Sequence, residues 1–225
     1  MVCYRIKIRF PVLLDKIVIA PLLLLRRIWY GYTFRRIPLV NSSKYAIVDV
    51  ADYYVLSKYI WWTRKRNGSY QVLRFTEEGA CFRPVFMHRD VMQLKLYSEL
   101  GTQNAGLTNS PSELVIDHID RDVSDNRRAN LRFATMTQNS MNKCSRGGVS
   151  KYKGVIYRAH KKLWVARISV DGKRKYIKSC KSEIDAAKAY DAAAKKYYKE
   201  FAYLNFPPPQ KPTGLKNIIR TAYRA

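Results

Sequence analysis

The stretch from Leu114 to Lys143 constrains this chain more than any other. An apolar run of strand length, Leu114 to Ile119, carries Asp117 and His118 side by side, and two amide side chains, Asn130 and Asn139, follow downstream. Asn130 to Ala134 reads as a second short strand. Thr137 opens a polar helical stretch, with Thr135 or Thr137 as its N-cap. Strand, loop, strand, helix is the order that brings a strand end and a helix face onto one metal ion. Asp117 offers a hard carboxylate oxygen and Asn139 an amide oxygen, a donor set that suits Mg2+ (or Mn2+) with several waters retained. Successive strand residues point to opposite faces, so His118 serves a different role from Asp117 unless the strand end bends. A neutral imidazole takes a proton from an attacking water at physiological pH.

Charge sets the class of partner. The 225 residues include 42 Lys and Arg against 17 Asp and Glu, a formal charge of +25. Such an excess points to nucleic acid first and an anionic membrane surface second. Apolar residues make up 47% of the chain, enough for packed cores and too many for a disordered polycation. The cysteines, Cys3, Cys81, Cys144 and Cys180, form no Cys-x-x-Cys pair, and no histidine stands at ligand spacing from them. That speaks against zinc and for reduced thiols in a cytoplasmic compartment.

Four broad zones and two short joints follow. Residues 1–36 form an apolar and basic N-terminal extension. Its runs Phe10 to Leu14 and Ile17 to Leu25 are split by Asp15-Lys16, and Pro21 interrupts the second, so neither approaches the ~20 residues of a spanning helix. Arg26-Arg27 follows with no small-residue cleavage site. Neither a signal peptide nor membrane contact is expected, and the runs read as a buried or interfacial segment. Residues 37–100 are β-rich, with a strand at Tyr45 to Val50, a hairpin turning at Asn67-Gly68, and a strand running into a helix between Val85 and Leu96. Residues 101–143 hold a Gly/Asn/Ser/Thr/Pro loop and then the Asp-His segment. A linker, 144–150, leads to a compact domain at 151–206 and a basic tail at 207–225.

That domain has its own pattern. Residues 151–178 hold ten Lys or Arg and one acid, Asp171. Three strand-like runs carry them, Tyr152 to Arg158, Leu163 to Val170 and Arg174 to Ser179, and Asp171-Gly172 marks the second turn. Trp164, Ala166, Ile168 and Val170 share an apolar face, while Arg174, Tyr176 and Lys178 share a basic one. A helix capped by Ser182, with Asp185 as its box partner, offers Ile184, Ala187, Tyr190, Ala194 and Tyr197 as the covering stripe. A narrow β-ribbon of this kind fits the major groove of double-stranded DNA.

Two resemblances sharpen these readings. Ile116-Asp117-His118-Ile119, then Asp125 to Arg132, then Thr135 to Asn139, resembles the HNH homing endonucleases, in the variant with Asn at the third position. The resemblance implies a ββα-metal module in which His118 activates water, Asp117 and Asn139 bind the divalent ion, and Asn130 holds the loop that orients His118. Arg127 and Arg132 then lie near the phosphate backbone. Relatives often carry Gly where this chain has Arg121. The second segment is similar to the plant ethylene-response-factor (APETALA-two type) DNA-binding domain, through Ser150 to Val155, Trp164 to Ile168, Asp185 to Ala194 and Ala202 to Pro207. Carried over by position, Lys153, Arg158, Arg167, Arg174 and Tyr176 meet DNA.

The expected fold is therefore α+β: a ββα-metal nuclease module followed by a three-stranded antiparallel sheet packed on one helix. The expected protein is a site-specific, nicking DNA endonuclease of a mobile element. It is expected as a cytoplasmic monomer, nucleoid-associated on DNA, without a small-molecule cofactor. A DNA-binding regulator without catalysis is the alternative.

Overall fold

Alternating burial builds the first strands. The computed structural model describes residues 12–66, 69–78, 81–100, 114–145 and 147–208, which fall into two units. One holds residues 12–100 and the segment 123–129; the other holds 114–122 and 130–208.

In the first unit, helix α1 (Val12–Tyr30) precedes an antiparallel pair, β1 (Arg35–Pro38) and β2 (Tyr45–Val48), and helix α2 (Val50–Leu56). A meander follows, β3 (Trp62–Arg66), β4 (Ser69–Glu78) and β5 (Cys81–Phe86), leading into α3 (Met87–Leu100). The expected turn at Asn67-Gly68 lies outside the described residues, but β3 and β4 pair on either side of it. Ile37, Ala46, Val48, Leu56, Trp61, Leu73 and Met87 are buried, and the Trp61 indole donates to the Leu56 carbonyl at 2.8 Å. Segment 123–129 is held by charge: Arg128 pairs with buried Asp52 at 2.6 Å, and its amide donates to Asp49 at 2.7 Å. Burial pushes the Asp49 carboxyl up from its ordinary value.

Of the two readings for the apolar N-terminal runs, buried or interfacial, α1 departs from the buried one. Asp15 ties it to Arg35 and to the Tyr54 hydroxyl, yet Leu14, Ile17, Val18, Leu24 and Leu25 are exposed. Among the described residues, no helix is long and apolar enough to cross a membrane.

The second unit begins with β6 (Leu114–His118) and β7 (Leu131–Thr135), paired antiparallel so that Asp117 faces Arg132 and His118 faces Leu131. Helix α4 (Met136–Asn142) follows at once. Thr135 is its N-cap: the hydroxyl accepts from the Gln138 amide at 3.1 Å, and the Gln138 side chain accepts from the Thr135 amide at 2.8 Å. This reciprocal box fixes where the strand ends and the helix begins.

After residues 144–150, which lie inside this unit, β8 (Val155–Arg158), β9 (Leu163–Val170) and β10 (Lys173–Cys180) form an antiparallel sheet in the order β10-β9-β8, covered by α5 (Glu183–Tyr198). Asp171 and Gly172 both have positive φ, 51° and 73°, as a tight hairpin turn needs. Ala166 and Ile168 are buried against α5, with Trp164 and Val170 packed beside them.

Three expectations are corrected. The pairing of β10 shifts between Tyr176 and Lys178, and this bulge lets Ile177 pack on the core and breaks the simple alternation. Ile184 and Tyr197 stay exposed, and the buried stripe runs instead through Ala186, Ala187, Tyr190, Ala193, Ala194 and Tyr198. The many alanines of α5 blur the apolar face, and Tyr198 is fixed by donating its hydroxyl to the Ser169 carbonyl. Ser182 occupies the N-cap position of α5 without a side-chain cap bond; its carbonyl accepts from the Ala186 amide.

Gly154 shows how tightly sheet and helix meet. Its φ is +75°, and an added Cβ would lie within the Tyr190 ring and 2.8 Å from the Arg167 carbonyl oxygen. Gly154→Ala is expected to cost about 3 kcal/mol or more, as strain and overpacking act together. Urea denaturation checks this, and a loss below about 1 kcal/mol would show that the neighbours can yield.

Candidate active site

The site forms where β6 ends. Asp117 and His118 are both buried, at 6% and 8% exposure. A carboxylate withdrawn from water needs charged or polar partners. Asp117 finds two. Nε and Nη2 of Arg132 donate to its Oδ2 at 3.0 and 2.8 Å, and Nδ2 of Asn142 reaches both oxygens at 3.1 Å. The same Asn142 nitrogen meets the carbonyls of His118 at 2.8 Å and Ile119 at 3.3 Å. One amide from α4 thus fixes the strand end that carries both site residues.

The loop after His118 is held by Asn130. Its Oδ1 accepts from the Asp120 amide at 3.0 Å, its Nδ2 donates to Asp120 Oδ1 at 2.7 Å, and its carbonyl accepts from the Ile119 amide at 2.8 Å. The His118 carbonyl accepts from the Arg121 amide at 3.0 Å, closing a turn. Arg121 sits in that turn with φ +70°, a region costing a non-glycine residue about 1 kcal/mol or more. Its guanidinium lies 4.6 Å from the Tyr203 ring centroid, a contact worth about 0.5–1 kcal/mol that offsets part of that cost.

Asn139 lies on α4, half-buried, and its side chain has no hydrogen-bond partner among the described residues. Asn142, three residues on, shares its helical face. Sequence reading missed Asn142 and Asp120. The spacing Asn139-x-x-Asn142 was the available signal for the first.

Three basic residues expected at DNA are used inside the protein. In the first unit, Arg127 pairs with Asp125 at 2.5 Å and stacks 3.6 Å from the Tyr32 ring centroid. In the second unit, Arg132 is committed to Asp117. Lys153 Nζ donates to the carbonyls of Met141 and Lys143 at 2.6 Å and of Ser140 at 3.3 Å, capping the C-terminal end of α4. Arg158, Arg174 and Tyr176 are exposed, and Arg167 is half-buried. A cavity of about 680 Å³ opens between α4 and the sheet, lined by Thr137, Ser140, Lys153, Arg167 and Arg174 among others. Among the described residues, no three His, Cys, Asp or Glu gather as a metal cluster.

Residues 109–141 match the HNH endonuclease family. The chain is also 28% identical over 167 residues to an uncharacterized HNH endonuclease of Acanthamoeba polyphaga mimivirus, an alignment covering 73% of this chain and 76% of that protein. The chain therefore carries an HNH endonuclease domain and has a distant HNH endonuclease homologue.

Burial pushes the Lys153 ammonium down to about 8, and the charges of Arg121 and Lys143 add to the effect. Between about pH 8 and the ordinary 10.5, the unfolded chain holds a proton that the folded chain has released. Stability therefore rises with pH across that window. Wild type should gain on Lys153→Met between about pH 7 and about pH 9.5 in urea melts. A flat or shrinking difference would show that the ammonium keeps its proton.

Proposed function

We propose that the chain is a site-specific DNA endonuclease that nicks one strand, cutting with the Asp117-His118 strand end and reading DNA with its C-terminal sheet. The carrying observation is that strand end, which lies in the segment that matches the HNH family and is held from the loop by Asn130 and from α4 by Asn142, one residue beyond the match. His118 is the general base, taking the proton of the attacking water. Asn130 keeps the 118–121 turn closed through Asp120, and so keeps the imidazole oriented.

HNH nucleases commonly use divalent metals, and the donors fit one. Among the described residues, Asp117 Oδ1 is met only by the Asn142 amide, and Asn139 offers an amide oxygen without a protein partner. Both are hard oxygens, suited to Mg2+ or Mn2+. When bound, such an ion stabilises the charge that develops on the phosphate oxygens.

Arg158, Arg167, Arg174 and Tyr176 are our candidates for reading duplex DNA, with arginine able to address guanine edges and backbone phosphates. A three-stranded antiparallel sheet covered by one helix leaves these side chains on a strand surface, which supports the reading role. The charge of +25 supports binding along the backbone. The rival, a DNA-binding regulator without catalysis, draws on the prior engagement of Asp117 by Arg132 and Asn142.

Supercoiled plasmid with Mg2+ or Mn2+ separates the two. Wild type should yield nicked circles, and His118→Ala should slow nicking by about 100-fold or more. Tight binding without nicking by wild type would leave the regulator reading standing. Separately, Arg174→Ala should weaken binding and lower the salt slope of log K by about one unit. An unchanged slope in fluorescence anisotropy would remove Arg174 from the interface.

A further inference from the structure

We infer that the C-terminal module completes the cutting site: it clamps Arg132, and Arg132 in turn positions Asp117. The inference rests on Asp117 being a site residue. Its novelty lies in where the support comes from, some eighty residues further along the chain.

Every nitrogen of the Arg132 guanidinium is occupied. Nε and Nη2 donate to Asp117 Oδ2, and Nη1 donates to the backbone carbonyl of Glu200 at 2.7 Å. Its face is covered as well, with the Phe201 ring centroid 4.0 Å away. The side chain is only 15% exposed. A guanidinium held on two edges and one face cannot rotate without breaking several contacts together, so the Asp117 oxygen it grips is held in turn.

The clamp has its own foundation. Glu200 and Phe201 lie in a single helical turn, residues Lys199–Phe201, that follows α5. Lys199 adopts φ +50° and ends α5 there. Beyond the turn, the Tyr203 amide donates to the Met141 carbonyl at 3.3 Å, and the amides of Asn205 and Phe206 donate to buried Asp191 at 2.9 and 2.8 Å. Segment 199–206 is thus anchored on α5, on the end of α4 and on Arg132. Movement of α5 and its sheet is carried to Asp117 through a short chain of direct contacts. Arg132 is a positioning residue, and so is Phe201.

The test uses the full chain with Arg132→Lys and Phe201→Ala. Lysine keeps the charge that a phosphate would read, but it offers one ammonium in place of three spaced nitrogens. Phe201→Ala leaves Arg132 and all its hydrogen-bonding groups intact. Two readouts are taken: plasmid nicking with Mn2+ over a range of DNA concentrations, and hydrogen exchange of the Val115 to Ile119 amides without DNA or metal. Both variants should lower kcat about tenfold or more with KM for DNA within about twofold, and exchange across Val115 to Ile119 should quicken. A raised KM with kcat kept would mean that Arg132 reads phosphate, which overturns the inference. Wild-type kcat and exchange in Phe201→Ala would overturn it too. If wild type itself does not nick, the endonuclease reading fails, and exchange alone decides the clamp. Faster exchange in Phe201→Ala upholds it, and unchanged exchange refutes it.

Discussion

A carboxylate buried at the end of a two-stranded ribbon organises the second unit. Asp117 is 6% exposed, and a charge so withdrawn is strongly destabilising unless it is paired and hydrogen-bonded. The partner comes from the rung directly opposite, since β6 and β7 place Asp117 across from Arg132. A slip of one residue would send every side chain to the other face. It would leave Asp117 without Arg132 and move His118 from its place. The ion pair and the strand register therefore select one another, and Asn142 adds the link from α4.

This explains which features were legible in the sequence. Local order was: Leu114 to His118 and the run from Leu131 are strands, Thr135 caps a helix, and Asp171-Gly172 turns a hairpin. Each depends on neighbours within a few residues. The fate of the basic side chains was not legible, because it depends on acceptors that the fold supplies. Arg127 has its partner two residues away, but Arg132 spans from Asp117 to Glu200, and Lys153 finds the carbonyls of a helix end. Backbone acceptors carry no signature in a sequence. The stripe of α5 was misplaced for a related reason, since alanines on several faces leave the choice to whichever tyrosine finds an acceptor. Tyr198 finds the Ser169 carbonyl.

Part of the basic excess is held inside the protein and part is exposed on the C-terminal sheet. Arg35, Arg74, Arg127, Arg128 and Arg132 are held by Asp15, Asp90, Asp125, Asp52 and Asp117. With Lys153 they stabilise the fold and are poorly placed to meet a ligand. Exposed Arg158, Lys173, Arg174, Lys175 and Lys178 on the C-terminal sheet remain with little acidic company. Other exposed cations, among them Lys16, Arg36, Lys44, Arg83 and Lys195, lie outside that sheet, so the basic field is broad while five acids are spent on arginines that build the scaffold.

Arg121 and Lys199, two of the charged residues with positive φ, locate where the scaffold around Asp117 is under load. Arg121 follows the His118 turn, and Lys199 ends α5 just before the carbonyl that holds Arg132. Glycine would relax either position, at the cost of a looser loop in the unfolded and folded chain alike. Arg121 instead carries a guanidinium that covers the Tyr203 ring, in the segment that Lys199 introduces. The two strained turns are thereby joined across Tyr203 and Arg132, so that neither can relax without disturbing the other's contacts. Strain of this kind persists only where the surrounding structure over-determines it. Here the surroundings are the Asp117 strand end on one side and the base of α5 on the other, which makes β6 and the C-terminal sheet parts of one mechanical unit.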